Sequence, residues 1–116
     1  MNVTWLKSGP NNEAWYPFRT VDLSHDHFNN LVGVYIIWQG GAKVVRVGQG
    51  KIRERLTDHR NSQQISKLDT GNLCVTWASV GAANLDGVER FLGDTLKPVI
   101  AERFPDVAPI PVNLPW

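Results

Sequence analysis

The chain of 116 residues carries one cysteine, Cys74, so no internal disulfide can form. Cys74 lies in an apolar stretch, where a buried, inert thiol is the expected reading. No apolar run approaches the roughly 18–20 residues that a membrane span requires. The opening MNVTWLKSGPNNEAW has no apolar core of signal-peptide length, and a cytoplasmic location is the expectation. Three scattered histidines and a lone cysteine offer no zinc ligand cluster. No G-x-S-x-G is present, which removes the strained serine elbow of a hydrolase. A phosphate-cradling P-loop is also excluded: no glycine lies five residues before Gly50, and Lys51 is followed by Ile52. Excess charge is lacking too, with 12 Lys and Arg against 11 Asp and Glu. Bulk charge therefore does not mark a strongly basic nucleic-acid binder. What remains is ordinary for a globular chain, 42% hydrophobic and 20% charged, and the length suits one domain with one modest core.

The charge is unevenly placed. Between Lys43 and Lys67 stand 7 basic residues against 2 acidic ones, a local excess of +5, and the remainder is acidic. Such segregation permits a phosphate-facing patch, although a solvated amphipathic helix would look the same.

The same stretch has the strongest pattern in the chain, GVYIIWQGGAKVVRVGQGKIRERLTDHRN over residues 33–61. Gly40-Gly41 between two β-branched runs predicts a two-residue type I′ hairpin, because both central residues of that turn need positive φ. The strands would cover residues 33–39 and 42–48. Gln39 would then face Ala42, Ile37 face Val44, Tyr35 face Arg46 and Gly33 face Gly48. Period-two alternation puts Val34, Ile36, Trp38, Val45 and Val47 on the core face, interrupted by Lys43. Tyr35, Ile37, Val44 and Arg46 would share the other, non-core face. Gly48 and Gly50 are expected to turn the chain into a helix over residues 51–61. Ile52 and Leu56 face the core there, and Arg55 and His59, four apart, share a face.

The flanks are plainer. Residues 1–32 read as an irregular, aromatic-rich cover. His25-Asp26-His27 reads as a polar loop or helix start, since no third ligand stands nearby. Ile65 and Leu68 suggest a short helical turn within residues 62–69. Residues 73–80, LCVTWASV, are apolar on both faces and predict a central strand. A helix follows over residues 86–97, with Leu85, Val88, Leu92 and Leu96 as its core stripe; Gly87 and Gly93 weaken it, so packing must hold it. Five of the seven prolines fall within residues 98–116. A short helix at residues 99–104 and an extended, polyproline-like tail lying along the domain are expected.

Gly33-Val34-Tyr35, then Val47-Gly48, then Arg55-Leu56-x-x-His59, with Glu89 nine residues before Pro98, resembles the core of the GIY-YIG endonuclease domain. The resemblance spans residues 33–98, between the N-terminal cover and the Pro-rich tail. It implies an α/β fold, a small three-stranded antiparallel sheet flanked by helices. It implies metal-dependent hydrolysis of nucleic-acid phosphodiester bonds, with DNA as the partner and Mg²⁺ or Mn²⁺ as cofactor. In that scheme Tyr35 activates water, Arg55 grips the phosphate, His59 assists and Glu89 holds the metal. Arg46, Lys51 and Arg53 would add phosphate contacts. One carboxylate with waters and substrate phosphate suits Mg²⁺, which keeps most of its hydration shell.

Two positions depart from the family pattern. Its second tyrosine falls at Arg46 and its asparagine at Ala101. Hence a second reading stands beside the first: a nucleic-acid-binding module of the same fold with impaired catalysis. A third is a protein-interaction domain using the Pro-rich tail and the five tryptophans, with a dimer or protein partner. Asp86-Gly87-Val88-Glu89 also fits a helix capping box, which would give Glu89 a purely structural role.

Overall fold

The computed structural model describes residues 1–41, 43–100 and 103–116. Four strands, β1 (Tyr16–Pro17), β2 (Val32–Gln39), β3 (Lys43–Lys51) and β4 (Leu73–Ser79), form one antiparallel sheet in the order β1-β4-β2-β3. Helices α1 (Ile52–Arg60), α2 (Gln63–Leu68) and α3 (Leu85–Leu96) flank it. The expected α/β class and the central position of β4 hold. The three-stranded count does not, because the N-terminal cover adds β1. Pro17 cannot donate to a ladder on both sides, so β1 is confined to the sheet edge.

Both sheet faces are buried. Tyr35, Ile37, Val45, Val75 and Trp77 pack with Ile52 and Leu56 of α1, Ile65 of α2 and Phe18 and Phe28 of the N-terminal segment. On the opposite face Val34, Ile36, Val44 and Val47 meet Val88 and Leu92 of α3 and Val112 of the tail. The non-core face expected around Tyr35 is therefore a second core face. The continuous apolar runs VYIIW and LCVTWA record this double burial.

The hairpin register also differs. Gln39 lies opposite Lys43, Ile37 opposite Arg46, Tyr35 opposite Gly48 and Gly33 opposite Gly50, with the ladder shifting between Ile37 and Trp38. Trp38 pairs with Val44 while Ile37 pairs with Arg46, so Val45 is the extra residue of a β-bulge. Ala42, expected opposite Gln39, lies outside the described residues. The bulge exchanges the two valines: Val44 joins the α3 face and Val45 the Tyr35 face. It is anchored from outside the hairpin, where the backbone N–H groups of Val99 and Ile100 donate to the carbonyls of Val44 and Val45 at 3.0 and 2.9 Å. The chain does not turn at Gly48 as expected. β3 continues through Lys51, and α1 begins directly at Ile52.

α3 starts one residue earlier than expected, with Asn84 rather than Asp86 at its N-cap and no side-chain capping bond. The capping box is thus not formed. Asp86 sits in the first turn and accepts from Gln49 Nε2 of β3 at 2.5 Å. The two helix glycines are places where the tail packs. A Cβ at Gly87 would meet the Ile110 side chain, and one at Gly93 would meet the Phe104 ring 2.7 Å away. The tail forms no helix or strand over residues 103–116 and packs along the domain, with the Ile110 N–H donating to the Gly87 carbonyl at 2.9 Å. The helix expected at residues 99–104 includes Ala101, which with Glu102 lies outside the described residues. No helix among the described residues is long and apolar enough to cross a membrane.

Candidate phosphate-binding site

The site begins with Tyr35 in the middle of β2, wholly shielded from solvent. Its neighbour across the ladder, Gly48, has no side chain, and the phenol hydroxyl fills the space a Cβ would take. From the helix side His59, only 7% exposed, brings Nε2 to 2.5 Å from Tyr35 Oη. The α-helical spacing of four residues places Arg55 on the same face of α1. Arg55 packs beside Gly50, whose φ of +127° is a conformation an L side chain rarely adopts and whose absent Cβ leaves room for the Arg55 stem.

Beyond Tyr35 and the glycines, a cavity of about 160 Å³ opens at the β3 edge, between α1 and α3. Arg46, Gly48, Gln49, Arg55, Glu89 and Arg103 line it, with Val47 and Phe104 as apolar walls. Three guanidinium groups thus surround one carboxylate, an arrangement suited to an anion. The Arg55 side chain is 38% exposed and makes a long 3.9 Å ion pair with Asp58. Its Nε is buried and has no hydrogen-bond partner among the described residues. A buried N–H donor facing a cavity is costly unless a ligand or water accepts from it.

Burial pushes the Tyr35 pKa above its ordinary value; Arg55 and then Arg46 pull the other way through charge and hydrogen bonding. Desolvation wins, so an isolated phenolate at neutral pH is disfavoured. Proton exchange with His59 remains open, because a hydrogen bond already joins the two groups.

The expected residues fall into separate sets. Arg46, Arg55 and Glu89 line the cavity; Tyr35 and His59 are buried outside its lining, Tyr35 beside Gly48, Arg55 and Arg46. Arg46 is not directly opposite Tyr35; it stands one pair further along on the same face, opposite Ile37. Lys51 and Arg53 border a different recess with Phe28, Asn30 and Leu31. The Arg53 guanidinium donates to the Leu23 and His25 carbonyls at 2.7 and 2.9 Å and to Asn29 Oδ1 at 2.9 Å, tying the N-terminal cover to α1. Arg103 and Gln49 were not foreseen. Gln49 could have been suspected from its place between Gly48 and Gly50; Arg103 lies in a stretch without periodicity.

Among the described residues no three His, Cys, Asp or Glu side chains cluster as a metal cage. Glu89 on the cavity wall still meets the lesser demand of Mg²⁺, which is commonly held by one or two carboxylates plus substrate phosphate. Compared with models of protein families, with curated proteins and with solved structures, the chain has no significant match.

Proposed function

We propose that the protein is a nuclease, hydrolysing nucleic-acid phosphodiester bonds with a divalent metal, in the manner of the GIY-YIG domains its sequence resembles. The observation that carries this reading is the arginine-lined cavity abutting a buried, hydrogen-bonded Tyr35–His59 pair. Arg55 and Arg46 bind and orient the phosphate and offset the charge that develops on its oxygens, with the planar fork that suits phosphate. As a water attacks phosphorus, its proton passes to Tyr35 Oη while the Tyr35 proton passes to His59 Nε2. A free phenolate never accumulates, so the raised Tyr35 pKa does not block the step. The new P–O bond forms as the bond to the leaving oxygen breaks, and the leaving oxygen takes its proton from solvent. Glu89 would hold Mg²⁺ or Mn²⁺, which supplies Lewis-acid stabilisation of the leaving oxygen when bound.

The deciding experiment is nicking of supercoiled plasmid DNA with Mg²⁺ or Mn²⁺, by the parent chain and by Tyr35→Phe. Cleavage by the parent and its loss in Tyr35→Phe support the proposal. Equal cleavage by both sinks the relay, and none by either sinks the nuclease assignment.

One observation favours the second reading, binding without cleavage: Arg46 stands where the family has a tyrosine, and it strengthens the anion site while removing a phenol. Salt-sensitive retention on DNA with no cleavage under either metal would select this reading. The interaction-domain alternative would show neither.

A further inference from the structure

A second and larger cavity, about 280 Å³, opens elsewhere on the Tyr35 face of the sheet. Tyr16, Asp22, His25, His27, Phe28 and Trp77 line it. Trp77 is directly opposite Tyr35, and Tyr35 directly opposite Gly48. Two strand spacings, roughly 10 Å, therefore separate the cavity floor from the phosphate cavity.

The lining is aromatic. The Tyr16 and Phe28 rings each stand 4.9 Å from the Trp77 ring, centroid to centroid. The polar groups have their protons fixed by hydrogen bonds. His25 Nδ1 accepts the His27 backbone N–H at 3.0 Å, which leaves Nε2 as the N–H of the neutral ring. His27 Nε2 accepts the Trp77 indole N–H at 2.9 Å, which leaves Nδ1 as its N–H. Asp22 Oδ1 accepts the Ser24 backbone N–H and hydroxyl at 3.0 and 2.6 Å. These bonds keep the Asp22 carboxyl ionised below its usual pKa, with Oδ2 left as an acceptor.

This inventory selects the ligand. Each histidine has spent its lone pair, so a metal ion finds no imidazole ligand here. Two N–H donors, with the Arg53 guanidinium bound to the His25 carbonyl, oppose an organic cation despite the aromatic walls. A flat heteroaromatic ring with both acceptors and donors on its edge satisfies every group. Guanine does so best: O6 and N7 accept from N–H donors, and its amino edge donates to a carboxylate. Trp77 and Phe28 are core rings, 1% and 4% exposed, so the ring surface open to a base is that of half-buried Tyr16 and of exposed His25 and His27. Single-stranded nucleic acid is characteristically read by stacking on aromatic side chains.

We infer that this cavity binds an unstacked nucleobase, guanine in preference to the others, from the strand whose phosphate enters the Arg46–Arg55 cavity. The placement on that strand rests on the nuclease reading; the base site itself does not.

The test is a two-dimensional ¹H–¹⁵N NMR titration of the full chain, following the Trp77 indole N–H among the five tryptophans. Guanosine, adenosine, cytidine, uridine and tetramethylammonium are the probes. The nucleosides carry no phosphate, so their binding is independent of the arginine cavity and of cleavage. A parallel titration with inorganic phosphate, read at Arg55 Nε, reports on that cavity alone. The expected result is a saturable Trp77 shift with guanosine at millimolar concentration and binding about tenfold weaker for the other nucleosides, the discrimination expected of one good edge contact. Asp22→Asn, at an exposed position, should erase that preference with the fold intact, and Tyr16→Leu should weaken all nucleosides alike. No Trp77 shift with any nucleoside, or a shift with tetramethylammonium alone, overturns the site. Equal binding of all nucleosides, or an unchanged preference in Asp22→Asn, overturns the guanine assignment. Phosphate binding at Arg55 without guanosine binding would leave the nuclease reading standing while this one falls.

Discussion

Gly48 lies opposite Tyr35, so close that any side chain at position 48 would overlap the phenol oxygen. The glycine is what allows a full-length tyrosine to lie under the edge strand and reach His59. Gly48→Ala should push the phenol off His59 and strain the core, costing about 1–3 kcal/mol as overpacking does. In a chain of this size each kcal/mol lowers the melting temperature by roughly 4–8 °C. Cleavage should be lost as well. The double variant Gly48→Ala, Tyr35→Phe removes the oxygen but leaves the ring carbon Cζ 2.5 Å from the new methyl, so it should recover only part of the stability and none of the activity. A single variant that melts and cleaves like the parent would contradict the close pairing.

Arg55 tests the phosphate contact. Arg55→Lys keeps the charge and loses the planar fork, and cleavage should fall by about 10²–10³-fold, the usual loss for one transition-state donor. Because the Arg55 side chain is 38% exposed, Arg55→Ala should cost no more than the roughly 1 kcal/mol of its hydrogen bond to Tyr35. Cleavage rates with melting curves for both variants decide it. Full activity in Arg55→Lys would reduce Arg55 to a generic charge.

Glu89 is freed from one alternative. With Asn84 at the N-cap and no capping bond, Glu89 has no capping box to complete. Glu89→Gln keeps the size of the side chain and removes its charge, so the chain should still melt cooperatively without Mg²⁺ while metal-dependent cleavage disappears. Melting curves with and without Mg²⁺ and cleavage rates test this together. A Gln variant that cleaves like the parent would remove Glu89 as metal ligand.

The pH dependence follows from burial of Tyr35. Its folded pKa is raised above the unfolded value of 10.0, so the folded state holds the proton more tightly. The resulting stability is present below the unfolded pKa and is lost as pH rises through the folded one. As the pH rises through 10.0 and beyond, the melting temperature of the parent should fall more steeply than that of Tyr35→Phe. Parallel curves would mean that Tyr35 ionises as freely folded as unfolded.

Much of this architecture was legible in the residues, and the exceptions share a cause. β4 and α3 were placed almost to the residue, because long apolar runs and a Val88–Leu92 stripe are local signals. Arg55 and His59 were assigned to one helix face by spacing alone. β1 escaped notice because two residues ending in Pro17 carry no periodicity. The hairpin register was misjudged because Gly40-Gly41 speaks only for the turn. One residue of displacement is present at the tip, where Gln39 faces Lys43, and the bulge at Val45 adds a second; its bonds to Val99 and Ile100 join parts of the chain more than fifty residues apart. The second buried face was underestimated for the same reason: Arg46 marked it as polar, while the N-terminal segment that covers Tyr35 has no pattern of its own. The Tyr35–His59 bond needs both the register and the docking of α1, and neither is written locally.

The bulge also divides the hairpin into two mechanically separate halves. Val44 and Val45 are clamped by the segment after α3, so their positions do not depend on how the chain crosses at the tip. A change at the exposed Gly40 and Gly41 is absorbed before it reaches Arg46. A residue inserted between Arg46 and Gly48 has no such buffer and inverts the facing of every side chain after it. Gly40 and Gly41 at the exposed tip are thus free to vary, while Trp38, Gln39 and Val44 beside them are buried and the half beyond the bulge is locked to its exact length by the side chains it places.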